Sequence, residues 1–164
     1  MIDEKGFRHG VGIVIVNDRN RLFWAKRQNF NGWQFPQGGM EEGEAPEQAM
    51  YRELYEEVGL NPDDVDVLAE TKGWLYYYLP KHLVRYKQTP LCIGQKQKWY
   101  LLKLKNTETE FRFDMTGHPE FAGFRWVSYW FPLRQVIFFK RKLYRSALRE
   151  FAPFVFDHSI SESK

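Results

Sequence analysis

The chain has 164 residues, 43% of them hydrophobic, one cysteine and a formal net charge of +3. That length suits a single domain over 1–164, able to bury roughly 70% of the surface its unfolded form exposes. Cys92 alone excludes an internal disulfide, and no apolar run reaches the ~20 residues that a membrane-spanning helix needs.

Met1–Gly10 carries mixed charges, unlike a secretory leader, so a reducing, cytoplasmic setting is expected. Val11–Val16 and Leu22–Arg27 are β-prone runs around the turn-forming Asn17-Asp18-Arg19-Asn20, which predicts a hairpin. Pro46–Val58 reads as a helix, with proline in its first turn and Gly59 as its left-handed stop. Asn61-Pro62 opens a short turn. Val65–Leu79 and Leu91–Leu104 are predicted strands with a loop at His82–Pro90, and Phe124–Ser128 is a last strand. Pro132–Phe151 has helical spacing, with Val136, Leu143, Ala147, Leu148 and Phe151 on one apolar face. The core should run from about residue 6 to 152, with 157–164 as a flexible tail. Strands interleaved with two main helices indicate an α/β or α+β sandwich.

Charge is segregated. Ten acids and a single base, Arg52, lie between Glu41 and Asp66. Thr71–Thr107 holds no acid but contains Lys72, Lys81, Arg85, Lys87, Lys96, Lys98, Lys103 and Lys105. Arg134–Arg149 adds Lys140, Arg141, Lys142 and Arg145. One acidic pole between basic tracts suits a metal-dependent enzyme acting on a polyanion. Solvated faces that segregated by accident would give the same pattern.

On the predicted helix, Glu53, Glu56 and Glu57 fall within about 100° of arc. Met50, Leu54 and Val58 form an adjoining apolar face that can anchor the helix to a sheet. Like charges four apart, as at Glu53 and Glu57, cost an isolated helix about 0.2–0.5 kcal/mol. A bound divalent cation reverses that penalty, and hard carboxylate oxygens are what magnesium prefers. Magnesium commonly shares its shell with substrate phosphates, so the chemistry indicated is phosphoryl or nucleotidyl transfer to water. Arg52 can pair with Glu44 or another carboxylate and hold the acids in place. The competing interpretation is an ordinary acidic surface helix.

Gly38, Glu44, Arg52, Glu53, Glu56, Glu57 and Gly59 occupy the fixed positions of G-x5-E-x7-R-E-U-x-E-E-x-G-U, with Leu54 and Leu60 in its apolar slots. The chain therefore resembles the Nudix hydrolases. This resemblance implies an α/β/α sandwich around a mixed central sheet, and hydrolysis of a nucleoside diphosphate linked to another group. The implied cofactor is Mg2+, with Mn2+ or another divalent cation able to substitute. A noncatalytic Nudix module that binds nucleotides or RNA is an alternative, but such modules usually lose signature acids and this chain keeps them all.

Segments outside the signature narrow the resemblance. WQFPQGG (Trp33–Gly39), VRY (Val84–Tyr86), CIGQKQKWYLL (Cys92–Leu102), PEF (Pro119–Phe121), RWVSYWFP (Arg125–Pro132) and QVIFFKR (Gln135–Arg141) are similar to the bacterial RNA pyrophosphohydrolase branch. That branch removes pyrophosphate from RNA 5′-triphosphate or diphosphate ends, leaving a 5′-monophosphate that promotes decay. It has also been described as hydrolysing dinucleoside polyphosphates, which is the alternative substrate class.

Residue by residue, the resemblance implies metal ligation by Glu53, Glu56 and Glu57, with Gly38 in the same shell. Glu120 would complete that shell or serve as general base, and Arg52 joins the catalytic set. Gly38, Glu44 and Gly59 are structural positions of the signature. Arg8, Arg27, Gln34, Tyr77, Lys98 and Lys140 match positions expected to face the phosphates and first nucleotides. Phe139 is the candidate stacking platform for an unpaired base. The expected partner is RNA with an unpaired 5′-triphosphate end, met by a monomer away from any membrane. One departure is Trp74-Leu75-Tyr76-Tyr77, where close members often carry a basic residue just before the second tyrosine.

Overall fold

The computed structural model describes residues 1–29 and 31–156, so the tail expected at 157–164 lies outside the described residues. Strand β1 (Phe7–Val16) is apolar on both faces, which places it at the centre of the sheet. Val11, Ile13 and Ile15 pack into one layer, while Val14 and Val16 pack into the other. Strand β2 (Leu22–Arg27) returns antiparallel with Val16 opposite Leu22, as the predicted hairpin requires. Its turn is held by Asn17 Oδ1, which accepts from the amides of Arg19 at 3.0 Å and Arg21 at 2.9 Å.

The sheet runs β3 (Trp33–Gln34), β2, β1, β7 (Gly94–Leu104), β5 (Val65–Glu70). Strand β4 (Gln37–Gly39) also pairs with β1, β6 (Leu75–Tyr78) with β7, and β8 (Phe121–Val127) with β2. The β1–β7 pair is parallel along its length, from Phe7 opposite Gly94 to Val16 opposite Lys103, and the others are antiparallel. The sheet is therefore mixed.

Helices cover both faces. α1 (Pro46–Val58) buries Ala49, Met50, Leu54 and Val58 against Val11, Ile13, Ile15, Phe23 and Tyr100. α3 (Arg141–Phe156) buries Leu143, Tyr144, Ala147, Leu148 and Phe151 against Trp24, Phe35 and Trp99. α1 ends at Gly59, whose φ of 74° is the left-handed conformation glycine adopts without strain; its amide donates to Tyr55 O at 3.0 Å. No helix among the described residues is long and apolar enough to cross a membrane.

Three predicted elements differ. The single strand expected over Val65–Leu79 is two, β5 and β6, because the chain leaves the ladder at Thr71. The Thr71 hydroxyl takes the place of a backbone acceptor for Trp99 N–H at 3.1 Å and donates to Gly73 O at 3.0 Å. The helix expected over Pro132–Phe151 is broken into α2 (Pro132–Gln135), a 3-10 turn at Phe138–Lys140, and α3. Adjacent β-branched Val136 and Ile137, which lose side-chain freedom in a helix, take extended backbone at the break. The last strand begins at Phe121, not Phe124, and the short β3 and β4 carried no periodic signal.

Candidate active site

Strand β4 brings Gly38 opposite Val11, directly under α1. A side chain there would overlap the Glu53 carboxylate, so glycine is what lets α1 bring Glu53 against the backbone. Glu53 and Glu57 are buried, whereas the Glu56 side chain is 40% exposed. The arc read from the sequence is thus a graded one, from sheet to solvent.

Arg52 organises the acids. Its Nε donates to Glu44 Oε2 at 2.8 Å and its Nη2 to Glu44 Oε1 at 2.9 Å, a bidentate pair. Nη1 donates to Glu53 Oε1 at 2.8 Å and Glu56 Oε2 at 3.2 Å, and Nη2 also reaches Gly39 O at 2.8 Å. The guanidinium holds the Glu44 carboxyl below its usual range, while the carboxylates push Arg52 upward.

Glu57 is in the opposite situation. Burial lifts its carboxyl well above the usual range, and the charges on Glu53 and Glu120 lift it further; the Gln37 amide, 3.3 Å away, opposes this. Burial raises Glu53 as well, against the pull of Arg52. Two carboxylates, Glu53 and Glu57, crowd one another where water is scarce, with Glu56 more exposed beside them. A hard dication would relieve that crowding, and the donor set is all oxygen, which fits Mg2+ or a similar ion. Among the described residues, no three His, Cys, Asp or Glu side chains are gathered closely enough to form a ready-made cage. A cation that keeps part of its water shell does not need one.

The chain matches the NUDIX domain over residues 6–153. It belongs to the Nudix family. Its curated relatives include several named RNA pyrophosphohydrolase. The RNA pyrophosphohydrolase of Pseudoalteromonas translucida is 55% identical over 164 residues, covering 100% of this chain and 95% of that protein. That of Pseudomonas putida is 60% identical over 153 residues, covering 93% of this chain and 96% of that one. Among solved structures, the E. coli dihydroneopterin triphosphate pyrophosphohydrolase superposes with a TM-score of 0.70 at 22% identity, over 88% of this chain and 96% of that one, a likeness of fold. Nudix hydrolases generally use divalent cations.

Beside the Nudix helix lies a basic, aromatic wall. The Lys140 Nζ sits 5.6 Å from the centroid of the Tyr77 ring, and the Phe139 ring is 5.7 Å from it. Burial brings the Lys140 ammonium down to about 8, helped by the charge on Arg27 and opposed by Glu120 and Glu57. Those four charges therefore share one neighbourhood. Burial also raises the Tyr77 phenol, while the charges on Arg27 and Arg8 pull it down. A cavity of about 400 Å³ opens here, lined by Arg27, Trp33, Gln34, Phe139 and Lys140 among others.

Glu120 is exposed just ahead of β8. Lys98 stands apart from Tyr77 and Lys140. Its strand partner Val11 packs in the α1 layer, and its Nζ donates to Thr71 O at 2.9 Å and Lys72 O at 3.4 Å. It ties down the bend between β5 and β6.

Of the glutamines that surround this Nudix site, sequence reasoning named Gln34 and missed Gln37, Gln97 and Gln135. Gln37 binds Glu57 through its amide, and its Oε1 accepts from Gln97 Nε2 at 3.0 Å. Gln97 in turn accepts from Trp99 Nε1 at 3.1 Å, so a line of amides runs from the acid into the other layer. Gln135 accepts from Trp24 Nε1 at 2.6 Å and Arg125 Nη2 at 3.0 Å, fixing one side of the cavity. The available signal was their presence inside WQFPQGG, CIGQKQKWYLL and QVIFFKR, the segments beyond the signature that carried the resemblance.

Proposed function

We propose that this Nudix chain is an RNA 5′ pyrophosphohydrolase that converts triphosphate or diphosphate ends to 5′-monophosphate and so promotes RNA decay. The observation that carries this is a basic, aromatic-walled cavity at Arg27, Phe139 and Lys140, whose ammonium feels the charges of Glu57 and Glu120, together with the buried acids Glu53 and Glu57 of the Nudix helix. Relatives at 55% and 60% identity over nearly the whole chain bear the name RNA pyrophosphohydrolase, which supports the same substrate class.

In this reading Glu53, Glu56 and Glu57, with the backbone at Gly38, would hold Mg2+, and Mn2+ could replace it. When bound, the ion neutralises charge that builds on the phosphates and lowers the pKa of water. Arg52 positions Glu53 and Glu56 through the contacts described above. Glu120, exposed just ahead of β8, would complete the ion's shell or accept the proton of the attacking water. Arg8, Arg27 and Lys140 bind the anionic phosphates, Tyr77 closes the wall beside them, and Gln34 lines the cavity floor. Phe139 stacks on one of the first bases, an interaction worth about 1–3 kcal/mol. Lys98 contributes from the α1 side of the sheet. One chain carries the complete set, so a monomer suffices, and an RNA substrate fits a cytoplasmic enzyme.

The test is a side-by-side comparison of kcat/KM, with Mg2+, on a short 5′-triphosphorylated RNA and on diadenosine tetraphosphate. A clearly larger value on the RNA, lost on Glu53→Ala, is the expected outcome. Faster cleavage of the dinucleotide would reject the RNA reading and favour a dinucleoside polyphosphate hydrolase.

A further inference from the structure

The wall of the active-site cavity has a second side. Phe139 lines that cavity and also another, of about 340 Å³, which lies between β6 and α3. The second cavity is walled by Trp74, Tyr76, Tyr78, Lys142 and Ser146 as well as Tyr77 and Phe139. Among the described strands β6 pairs with β7 only, so its other edge opens onto this space.

Tyr76 and Tyr78 are 55% and 58% exposed. They form a surface cluster with Phe7, at centroid distances of 5.6 and 5.3 Å, and stand 5.9 Å from each other. Lys96 Nζ lies 5.8 Å from the Phe7 centroid, and Lys142 is exposed at the mouth on the α3 side. The whole segment Thr71–Thr107 is free of acids. Two carboxylates lie nearby and both are engaged: Asp3 accepts from the Lys5 and Phe7 amides, meets His9 and stands 3.9 Å from Lys96 Nζ, while Glu150 accepts from the Lys72 amide at 2.8 Å.

Exposed aromatic rings with interleaved lysines that outnumber the acids match one kind of ligand. Unpaired bases stack on the rings while phosphates meet the cations, without sequence preference. A folded protein partner would more often meet a flat apolar patch with a polar rim.

We propose that the β6 edge and the cavity between it and α3 form a track for the single-stranded RNA downstream of the 5′ end. The chain passes Phe139, turns over the sheet edge and stacks on Tyr76 and Tyr78, with Lys142 and Lys96 against its backbone. This rests on the RNA reading above and extends it from the first nucleotides to those that follow.

Two variants test it: Tyr76→Ser with Tyr78→Ser, and Lys142→Glu, which alters only an exposed head on α3. Binding of a 5′-hydroxyl RNA of about twelve nucleotides is measured by fluorescence anisotropy, which needs no hydrolysis. In parallel, kcat/KM is measured on a triphosphorylated dinucleotide and on a triphosphorylated RNA of the longer length. The expected result is at least about tenfold weaker binding of the long RNA by the tyrosine variant, with a smaller loss for Lys142→Glu. The advantage of long over short substrate should disappear, while the dinucleotide rate stays as in the unmodified protein. Unchanged long-RNA binding in both variants, with normal hydrolysis of triphosphorylated RNA, overturns the track and leaves the RNA reading intact. Lost binding in a protein that cleaves only dinucleoside polyphosphates supports the track and removes the 5′-end activity instead.

Discussion

Gly38 and Glu53 occupy one small space: the carboxylate lies where a side chain on residue 38 would have to be. The obstacle is the end of a flexible side chain, not backbone, so Gly38→Ala should cost little stability. It should instead push Glu53 out of its hydrogen bond with Arg52. A displacement of about 1 Å in a catalytic group can cost on the order of a hundredfold in rate. The expected outcome is therefore a large fall in kcat with a melting temperature shifted by only a few degrees. A variant that melts far earlier, or one that turns over normally, would contradict this account of the contact.

The carboxylates should be separable from their organiser. Glu53→Gln and Glu56→Gln each keep the size of the side chain and remove charge that a cation needs, so turnover should fall by at least about a hundredfold with the fold intact. Arg52→Lys keeps charge but cannot reproduce the fork on Glu44 while also reaching Glu53 and Glu56. Its loss should be intermediate. Circular dichroism checks the fold and single-turnover rates check the ranking.

The helix of this site was legible because its constraints are local: proline at the start, glycine at the stop, and three acids on one arc. The resemblance supplied the sandwich architecture, and the hairpin followed from Asn17–Asn20. What the chain order could not show was contact made across long sequence distances. Gln37 meets Glu57 across 20 residues and Trp24 meets Gln135 across 111. The break at Val136–Ile137 was missed because its helical spacing continues through residues whose backbone is extended. Lys98 was placed toward the phosphates by the resemblance alone; its contacts with the Thr71 and Lys72 carbonyls depend on a bend inside what reads as one continuous strand.

Cation binding should be coupled to pH through Glu57. Its raised pKa means that the folded chain keeps a proton which the unfolded chain has already released. Between the ordinary carboxylate range and that raised value, stability therefore falls as pH rises. A dication bound beside Glu57 competes with the proton and restores the loss. The gain in melting temperature from Mg2+ should be larger at about pH 8 than at about pH 5. Chelation should abolish it, and Glu53→Gln should reduce it. A gain of equal size at both pH values would mean that the ion binds elsewhere.

Lys140 should impose a limit on the basic side. Its ammonium is complete below about 8 and is lost as pH rises through that value. Affinity for anionic phosphates should fall in the same interval, seen as declining kcat/KM, which reports ionisations of the free enzyme. Lys140→Arg remains charged throughout, so its profile should stay level across this interval. Parallel profiles for the two proteins would show that another group sets the basic limb.

Phe139 should distinguish base recognition from chemistry. Its ring lies 5.7 Å from Tyr77 and is partly buried, while the adjacent Phe138 is 64% exposed. Phe139→Ala removes a platform worth about 1–3 kcal/mol per stacked base. The Glu53, Glu56 and Arg52 arrangement on α1 remains. Hydrolysis of a triphosphorylated RNA should then weaken by at least about fivefold in KM, with little change on a small nucleotide substrate. Phe138→Ala alters a neighbour that meets Phe139 edge-on at 5.5 Å but does not line the cavity, and as the matched control should cost clearly less on the RNA than Phe139→Ala. Equal losses on both substrates in the Phe139 variant would mean that the ring supports the fold of the 3-10 turn rather than a base. The separation between the two substrates, more than the size of either loss, decides the role.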